Sequence, residues 1–577
     1  MEQRNHKPND SKEVAKDILR QFQKVKAKRA PFESLYQSVA NVAGPQWFGF
    51  TGEPLHPTNV SPRVLDSTVR KATRVYRSGM LSGGCGPATR WFGLEFEDPD
   101  FNKWAMARRS GQEKAWLQRL ENTYYADFWK AGFYQQKEIG FQQHGLFGWE
   151  SMYLDESIAG AIRFNARPLH ECYFDHDFNS VVDRHFRAFK MSARDMKAKW
   201  GEDKLPEDVR QKLRSAGGKD EEATFDVVHA VMPRADVEQS LDRNTMKFAS
   251  YYLLNTGSDK GQVISEGGYE EMPYIVNRAY RLPGTPYSYS PGTEALADVQ
   301  MINEMKRLLL EYGQLAIAPP LFVPDDGFMT SRISFNPRAI NYYRKDGNST
   351  ANDIKPFELG GDPRFDMELF QNTQKDINEA FYVDLFLTVA QRIKNGSTPT
   401  ATEITELAGE RNFLLSPLLI NLQVESFTPT FERMYAIKER RGEIPPVPRE
   451  LVGRDFKAVY TSPLMKAQYE YKINNTLSTY ADVAQIVSMT GDVSVWENFD
   501  NQQAARVIAE QRGMPQEVLR DLEDALQSMK QKAQAAAQQQ TAAGMQQTLE
   551  KYPGLAKAPE DGSPAEMVLN GVRGATQ

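Results

Sequence analysis

The sequence predicts an α+β chain made of several structural units, and three observations carry that prediction. At 577 residues the chain is too long for one hydrophobic core. From Ser151 to Asn277 it is rich in alternating, β-branched and aromatic segments, the pattern of strands. Two stretches, 291–318 and 363–390, repeat apolar residues every three or four positions around a short segment of strand and turn signals.

Hydrophobic residues make up 40% and charged residues 25%, ordinary values for a soluble globular protein. The net charge of −6, from 70 basic and 76 acidic residues, argues against a surface that grips nucleic acid broadly through its phosphates. Two cysteines, Cys85 and Cys172, rule out a disulfide framework and suit a reducing compartment. The first residues, MEQRNHKPNDSKEV, lack the apolar run of a signal peptide, and no window approaches 18 uninterrupted apolar residues. A soluble protein made in the cytosol is expected.

The first helix is predicted over 9–29, opened by the capping pattern Asp10 to Glu13. Lys12, Lys16, Arg20, Lys24, Lys26, Lys28 and Arg29, against Glu13 and Asp17, make it basic; a solvated face or contact with an acidic partner both fit. A second helix spans 31–43, and a loop follows through Arg63. Residues 64–84 read as a helix ended by Gly83-Gly84, and Trp91, Phe92, Leu94 and Phe96 alternate as a strand does. Helix returns over 111–147. Strands follow across 151–189, 225–232 and 247–277, with turns at Asn255-Thr256-Gly257 and Gly267-Gly268.

The next helix is punctuated at both ends. Ser290 can cap it, Pro291 stands where a missing N–H costs nothing, and Pro319-Pro320 stop it. Ala295, Val299, Ile302, Met305, Leu309, Tyr312 and Ala316 form its apolar stripe, about 36 Å of rod. Glu294, Asp298, Glu304, Lys306, Arg307 and Glu311 occupy the other faces. Such a helix is either the core of a large domain or a strut that packs against copies of itself. Short strands in 321–358 form a small insert, with turn signals at Asp325-Asp326-Gly327 and Asp346-Gly347-Asn348. The partner helix runs from Pro363 to Ala390, with Phe365, Leu369, Ile377, Phe381, Leu385 and Val389 on its apolar side. A polar, basic loop, Gln391-Arg392-Ile393-Lys394-Asn395-Gly396-Ser397, leads to a capping box, Thr400 and Glu403. That box starts a leucine-rich helix through Leu407, Leu414, Leu415, Leu418, Leu419 and Leu422 to about Arg441, in which Pro417 and Pro429 should produce kinks. A strand at 456–460, helices at 465–489, 500–512 and 515–540, an Ala/Gln-rich run and a disordered tail from Tyr552 complete the chain.

The best metal candidate is the run from His170 to Asp177, where His170, Cys172 and His176 share one strand parity and Asp183 and His185 lie nearby. A helical His-Glu-x-x-His site fails, because its last position is Phe174. Gly218-Lys219 is followed by Asp220, so no Walker A loop exists, and Gly83-Gly84-Cys85-Gly86 lacks the third glycine of a dinucleotide fingerprint. Neither a Gly-x-Ser-x-Gly elbow nor a catalytic constellation is present. The carboxylates Glu95, Glu97, Asp98 and Asp100 read as a solvated strand end. No catalytic residue, metal or cofactor is expected.

Several short stretches in a fixed order resemble the portal proteins of tailed bacteriophages, more narrowly the head-to-tail connectors of short-tailed, podovirus-type phages. They are Tyr36-Gln37-Ser38-Val39-Ala40; Asp66-Ser67-Thr68 with Gly79-Met80-Leu81-Ser82-Gly83; Trp91-Phe92-Gly93-Leu94; Thr400-Ala401-Thr402-Glu403-Ile404; Glu443-Ile444-Pro445; and Val459-Tyr460-Thr461-Ser462-Pro463-Leu464. Together they cover about 32–520.

The resemblance implies a multi-domain portal fold that assembles into a ring, usually of twelve subunits, at one capsid vertex of the virion. It divides the chain into an N-terminal arm and α+β wing (1–290), stem helix 1 (291–318), clip (319–360), stem helix 2 (361–386) and tunnel loop (387–399). A kinked wing helix and strand (400–464), a helical crown (465–540) and a disordered tail (541–577) follow. Gln391, Arg392, Lys394 and Asn395 then face double-stranded DNA weakly and without sequence preference, while Val299, Ile302, Met305, Leu309 and Tyr312 meet the neighbouring subunit. Capsid and scaffolding proteins, the terminase large subunit, and tail adaptor and internal core proteins are the implied partners. No enzyme activity and no membrane are implied, and assembly takes place in the host cytoplasm. Two other readings stay open at this stage: another oligomeric phage component of tail or scaffold, and a metal-dependent hydrolase using His170, Cys172 and His176.

Overall fold

The computed structural model describes residues 8–44, 49–51, 64–96, 111–156, 161–214, 222–234, 246–255, 261–325, 333–344, 354–357, 363–387, 414–447, 456–499, 504–505 and 508. Helix and sheet are both abundant, as the α+β prediction requires. Contacts divide the chain into two units, 1–95 with 119–446 and 457–479, and 96–118 with 447–456 and 480–577. In the smaller unit, Tyr480 packs its ring 5.6 Å from both Trp496 and Phe499.

The larger unit is built on a five-stranded antiparallel sheet in the order β4-β5-β6-β7-β8 (Cys172–His176, Val182–Ser192, Thr224–Pro233, Phe248–Asn255, Gly261–Tyr269). Alternation along β6 and β7 supplies both of its faces. One face buries Phe186, Val228, Ala230 and Leu253 under α1 (Pro8–Ala43). The other buries Val227, Leu254 and Ile264 under Met196 and Val209 of two short helices, α5 (Ala193–Trp200) and α6 (Glu207–Arg214). The expected turn at Gly267-Gly268 is instead part of β8. The two glycines pair with Ser250 and Ala249, so ladder hydrogen bonding outweighs their turn preference.

Helix α1 also departs from expectation. Residues 9–43 form one helix, with Pro31 inside it. Ala27 and Pro31 are both exposed, so the carbonyl that loses its N–H partner lies on the solvent side, where water can take it. Ala15, Ile18, Leu19, Phe22 and Val25 dock on the sheet. Of the seven basic residues, Arg29 is not part of a solvated face. It is buried, donates to the carbonyls of Leu169, His170 and Cys172 and to Glu33, and lies 3.7 Å over the Tyr173 ring.

A three-stranded sheet, β3-β2-β9 (Ile162–Ala166, Trp149–Glu156, Tyr274–Arg278), carries a second core with α2 (Thr68–Cys85), α3 (Gly111–Lys130) and α4 (Phe133–Phe147). The helical stretch 111–147 breaks at Gly132, whose φ of 74° is a left-handed conformation that a side chain disfavours. β1 (Phe92–Phe96) pairs with the strand Phe456–Tyr460. Trp91 anchors an aromatic cluster there, with ring centroids 4.8 Å from Phe427, 5.5 Å from Phe128 and 5.9 Å from Phe133.

Between the sheets, His185 stacks on Tyr274 at 3.8 Å and His229 on Tyr252 at 4.0 Å. His229 shares hydrogen bonds with Tyr274 and Ser250, and His185 with Ser151. Burial holds both imidazoles well below their usual range, and the nearby Arg167 and Arg187 act in the same direction. Burial also lowers His144, beside Tyr76, to about 3. Each is neutral when folded and binds a proton near pH 6.5 when unfolded, so the folded state holds fewer protons. Stability is therefore complete above pH 6.5 and declines as pH falls below it, by about 1.4 kcal/mol per histidine per pH unit. Thermal melting from pH 8 to pH 5 should show this slope, and His229→Gln should reduce it.

Candidate functional site

The element that leads to the candidate site begins as predicted. Ser290 accepts from the Thr293 amide while the Thr293 hydroxyl takes the Ser290 amide, a reciprocal cap with Pro291 at the first helical position. One turn, α7 (Pro291–Glu294), passes through Ala295 into α8 (Leu296–Ile317), and Pro319-Pro320 follow. Its partner α9 (Pro363–Ala380) packs against it, with Lys306 lying 5.3 Å over the Phe370 ring. Between them β12 (Leu321–Asp325) pairs parallel with β13 (Ile340–Arg344) and antiparallel with β14 (Lys355–Pro356), the small insert that was expected. The turn signals at 326–327 and 346–348 lie outside the described residues.

The apolar stripe of α8 divides into parts of unlike burial. Val299 and Ile302 are 1% exposed, covered by the chain's own body, while Met305, Leu309 and Tyr312 are half-buried. Asn303 ties the same side of the helix down by accepting from the amides of Leu65 and Asp66, at 3.0 Å each. The uncovered apolar side chains are others: Met301, Leu308, Leu310 and Ile317 on α8, Met367 and Leu369 on α9. Leu369 was expected on the apolar side of α9; the buried stripe is Phe370, Ile377 and Phe381.

The predicted continuous helix 363–390 is interrupted. After Ala380 the chain turns at Phe381-Tyr382, Tyr382 having a φ of 56°, and one further helical turn covers 383–387. Tyr382 shares a hydrogen bond with Tyr280, and the Phe386 ring meets Tyr76 edge-on at 6.3 Å. Gln391, Arg392, Lys394 and Asn395, and the capping box at Thr400 and Glu403, lie outside the described residues.

From residue 414 the chain is helical, and Leu415, Leu418, Leu419 and Leu422 are buried as the leucine pattern requires. The kink expected at Pro429 takes a specific form. Residues Leu422–Phe427 are a π-helical turn, in which the Thr428 amide donates to the carbonyl of Gln423, five residues back. A proline cannot donate to the carbonyl four residues before it and clashes with that group. The wider turn absorbs both problems, and a regular helix, Thr428–Arg440, continues.

Buried charges fix that bulge in place. Arg278, 3% exposed, is held by both carboxylate oxygens of Glu425, whose Oε2 also accepts from the Arg278 amide at 2.9 Å. Lys137 pairs with Glu150, both essentially inaccessible to water, and Lys137 donates to the Ser426 hydroxyl at 2.7 Å. Asn277 donates to the same Glu150 at 3.2 Å, and Asn421 to the Ala279 carbonyl at 2.8 Å. Further along the same helix, Arg433 donates to the carbonyls of Leu154 and Glu271, and Lys438 pairs with Asp127. Gly140 faces Glu150 so closely that an added Cβ would collide with the carboxylate.

The metal candidates do not converge. His170 stands in a 3₁₀ turn, Leu169–Glu171, and the register shift between Asp175 and His176 breaks the parity that His176 would have shared with Cys172. The carbonyls of His170 and Cys172 serve as acceptors for Arg29, and the His176 ring donates to the Asp177 carbonyl. Among the described residues no three ligand-type side chains gather around one point.

The larger unit thus joins a long helical hairpin with a small insert to an α+β body whose late helix is fixed by buried charges. The chain belongs to the bacteriophage head-to-tail connecting proteins, whose family model matches residues 15–519. Connection of head to tail is its role. It is similar to the protein named "Portal protein" of Salmonella phage epsilon15, 26% identical over 506 residues, 87% of this chain and 88% of that relative. It is also similar to the "Probable portal protein" of Bordetella phage BPP-1, 27% identical over 461 residues, 79% and 80% of the two chains.

The charge network makes a prediction. Lys137→Met strands the Glu150 carboxylate in a dry site and should cost about 3–5 kcal/mol. Lys137→Met combined with Glu150→Met should recover most of that loss in denaturant titrations. Gly140→Ala, which pushes on the same carboxylate, should cost about 1–3 kcal/mol.

Proposed function

We propose that this connector works as a portal: a closed ring, of twelve copies as in the family it resembles, at one capsid vertex. Double-stranded DNA enters and leaves through its centre. The observation that carries the reading is the set of apolar side chains that α8 and α9 leave bare. A ring needs an interface between two different patches of the same chain, and a long helical hairpin presents two flanks to its neighbours. Met301 and Leu308 on one flank of α8, and Leu310 and Ile317 towards the other, supply apolar surface that the single chain does not bury. Met305, Leu309 and Tyr312 support the contact, while Val299 and Ile302 join the helix to its own body.

In this reading 291–318 and 361–386 are the stem, 319–360 the clip, 1–290 with 400–464 the wing, and 465–540 the crown. The tunnel loop, 387–399, reaches DNA through Gln391, Arg392, Lys394 and Asn395. A net charge of −6 suits a conduit, because every phosphate neutralised adds salt-sensitive affinity that would slow the cargo. The clip receives the terminase large subunit during packaging and the tail adaptor afterwards; the wing meets capsid and scaffolding proteins, and the crown the internal core. The protein acts as a structural part of the virion, assembled in the host cytoplasm, rather than as an enzyme. No described helix is long and apolar enough to cross a membrane.

Electron microscopy down the symmetry axis should show a ring with a hole wide enough for duplex DNA, and light scattering a mass of about 786 kDa for twelve 65.5-kDa chains. Met301→Glu with Leu308→Glu should leave the chain folded and the ring absent; rings unchanged by this pair would defeat the stem assignment. Arg392→Ala with Lys394→Ala should lower the amount of DNA retained per particle without preventing assembly.

A further inference from the structure

A cleft of about 740 Å³ lies between the two sheets of the larger unit. Its walls come from β2 and β3 on one side, from β7 and β8 on the other, and from Lys199 of α5. Tyr153, Tyr252 and Tyr269 give it aromatic surface. Lys199 holds its ammonium nitrogen 3.8 Å from the centre of the Tyr252 ring. His229 stacks on the same ring at 4.0 Å, so the two cover its opposite faces. The carboxylates that share the cleft are engaged elsewhere. Asp155 accepts from the hydroxyls of Tyr153 and Tyr269 and meets Arg433 at 3.5 Å. Glu266 accepts from the Tyr251 hydroxyl and pairs with Arg234 at 3.2 Å. Glu156 faces Arg441 at 4.0 Å, and Arg163 donates to the Lys130 carbonyl. Among the described residues Lys199 pairs with no carboxylate, and the guanidiniums of Arg167 and Arg187 repel it.

We propose that this cleft is a covalent binding site, in which the Lys199 amine captures small aromatic aldehydes as Schiff bases. A lysine kept partly dehydrated beside other cations is the form that attacks carbonyls near neutral pH. Desolvation at the cleft wall brings Lys199 down to about 8; Arg167 and Arg187 act in the same direction, against Asp155. At pH 7 about a tenth of such an amine is neutral, against about one in 2,500 for an ordinary lysine. Lys199 is also exposed as a residue, so a reagent can reach it. In the reaction the ammonium first gives a proton to water. Its lone pair then forms the C–N bond and the carbonyl oxygen departs as water, with nothing oxidised or reduced. An aromatic aldehyde is the class favoured, because tyrosine-lined walls suit a planar ring and the volume is that of a small-molecule site. The site stands apart from the ring reading, since every residue in it belongs to one unit of one chain.

The test uses the full-length chain with benzaldehyde as the probe. Cyanoborohydride reduces the Schiff base to a stable amine, and mass spectrometry of the peptides maps the label. At pH 7 Lys199 should be labelled at least tenfold faster than the average of the other lysines. Trace labelling with acetic anhydride over a range of pH should give Lys199 a midpoint near 8. Arg167→Gln, which removes one repelling charge, should move that midpoint upward. Lys199→Arg, which keeps the positive charge, should lose the fast label and leave the melting temperature unchanged. Benzaldehyde labelling no faster at Lys199 than elsewhere, or a Lys199 midpoint near the ordinary value of about 10.4, overturns the proposal.

Discussion

The Lys137–Glu150 pair is the constraint around which the larger unit is arranged. Two opposite charges, both nearly inaccessible to water, hold each other in place because either one alone would be stranded in a dry site. The network draws on four elements: Lys137 from α4, Glu150 from β2, and, donating to Glu150 or accepting from Lys137, Asn277 from β9 and Ser426 from the π-helical turn. Helix α4, two strands of the three-stranded sheet and the late helix are therefore tied together at one point. Gly140 provides the room for the carboxylate, and the Phe141 and Phe427 rings flank the ammonium at 4.9 and 5.6 Å.

The same logic extends along the late helix. Glu425, Ser426, Arg433 and Lys438 reach partners on β9, α4, β2 and α3, so the segment 421–440 is fastened by charge on the side that faces the body. Ile420 and Val424, on a different side, remain exposed. A helix fixed in this way gives a firm base to whatever precedes it in the chain. At the end of α9 the φ of 56° at Tyr382, held by Tyr280, fixes the chain direction in the same way.

A head-to-tail connector has to be rigid within each subunit and adhesive between subunits. Polar interactions serve the first need here, as the buried salt bridges sit inside the body. In the proposed ring the second need falls to the apolar side chains that the single chain leaves bare, Met301 and Leu308 among them. Arg278 holds both the bulge and the turn between β4 and β5 with one guanidinium.

What the sequence determined by itself was everything that short-range periodicity and capping chemistry encode. The cap at Ser290, the stop at Pro319-Pro320, the strands of 151–277, the small insert and the buried leucines 415, 418, 419 and 422 were legible because each depends on residues a few positions apart. The family, too, could be read from short motifs in a fixed order. The tertiary structure alone decided which apolar residues of α8 face inward. Val299 and Ile302 share a stripe with Leu309, but only the first two lie where the body covers the helix. It alone turned Arg29 from a surface cation into a buried hub and separated His170, Cys172 and His176 through a 3₁₀ turn and a bulge. It also paired Lys137 with Glu150 and Arg278 with Glu425, residues 13 and 147 positions apart. A charge far along the chain leaves no periodic trace, because its partner is chosen by the packing of whole elements and not by its neighbours in sequence.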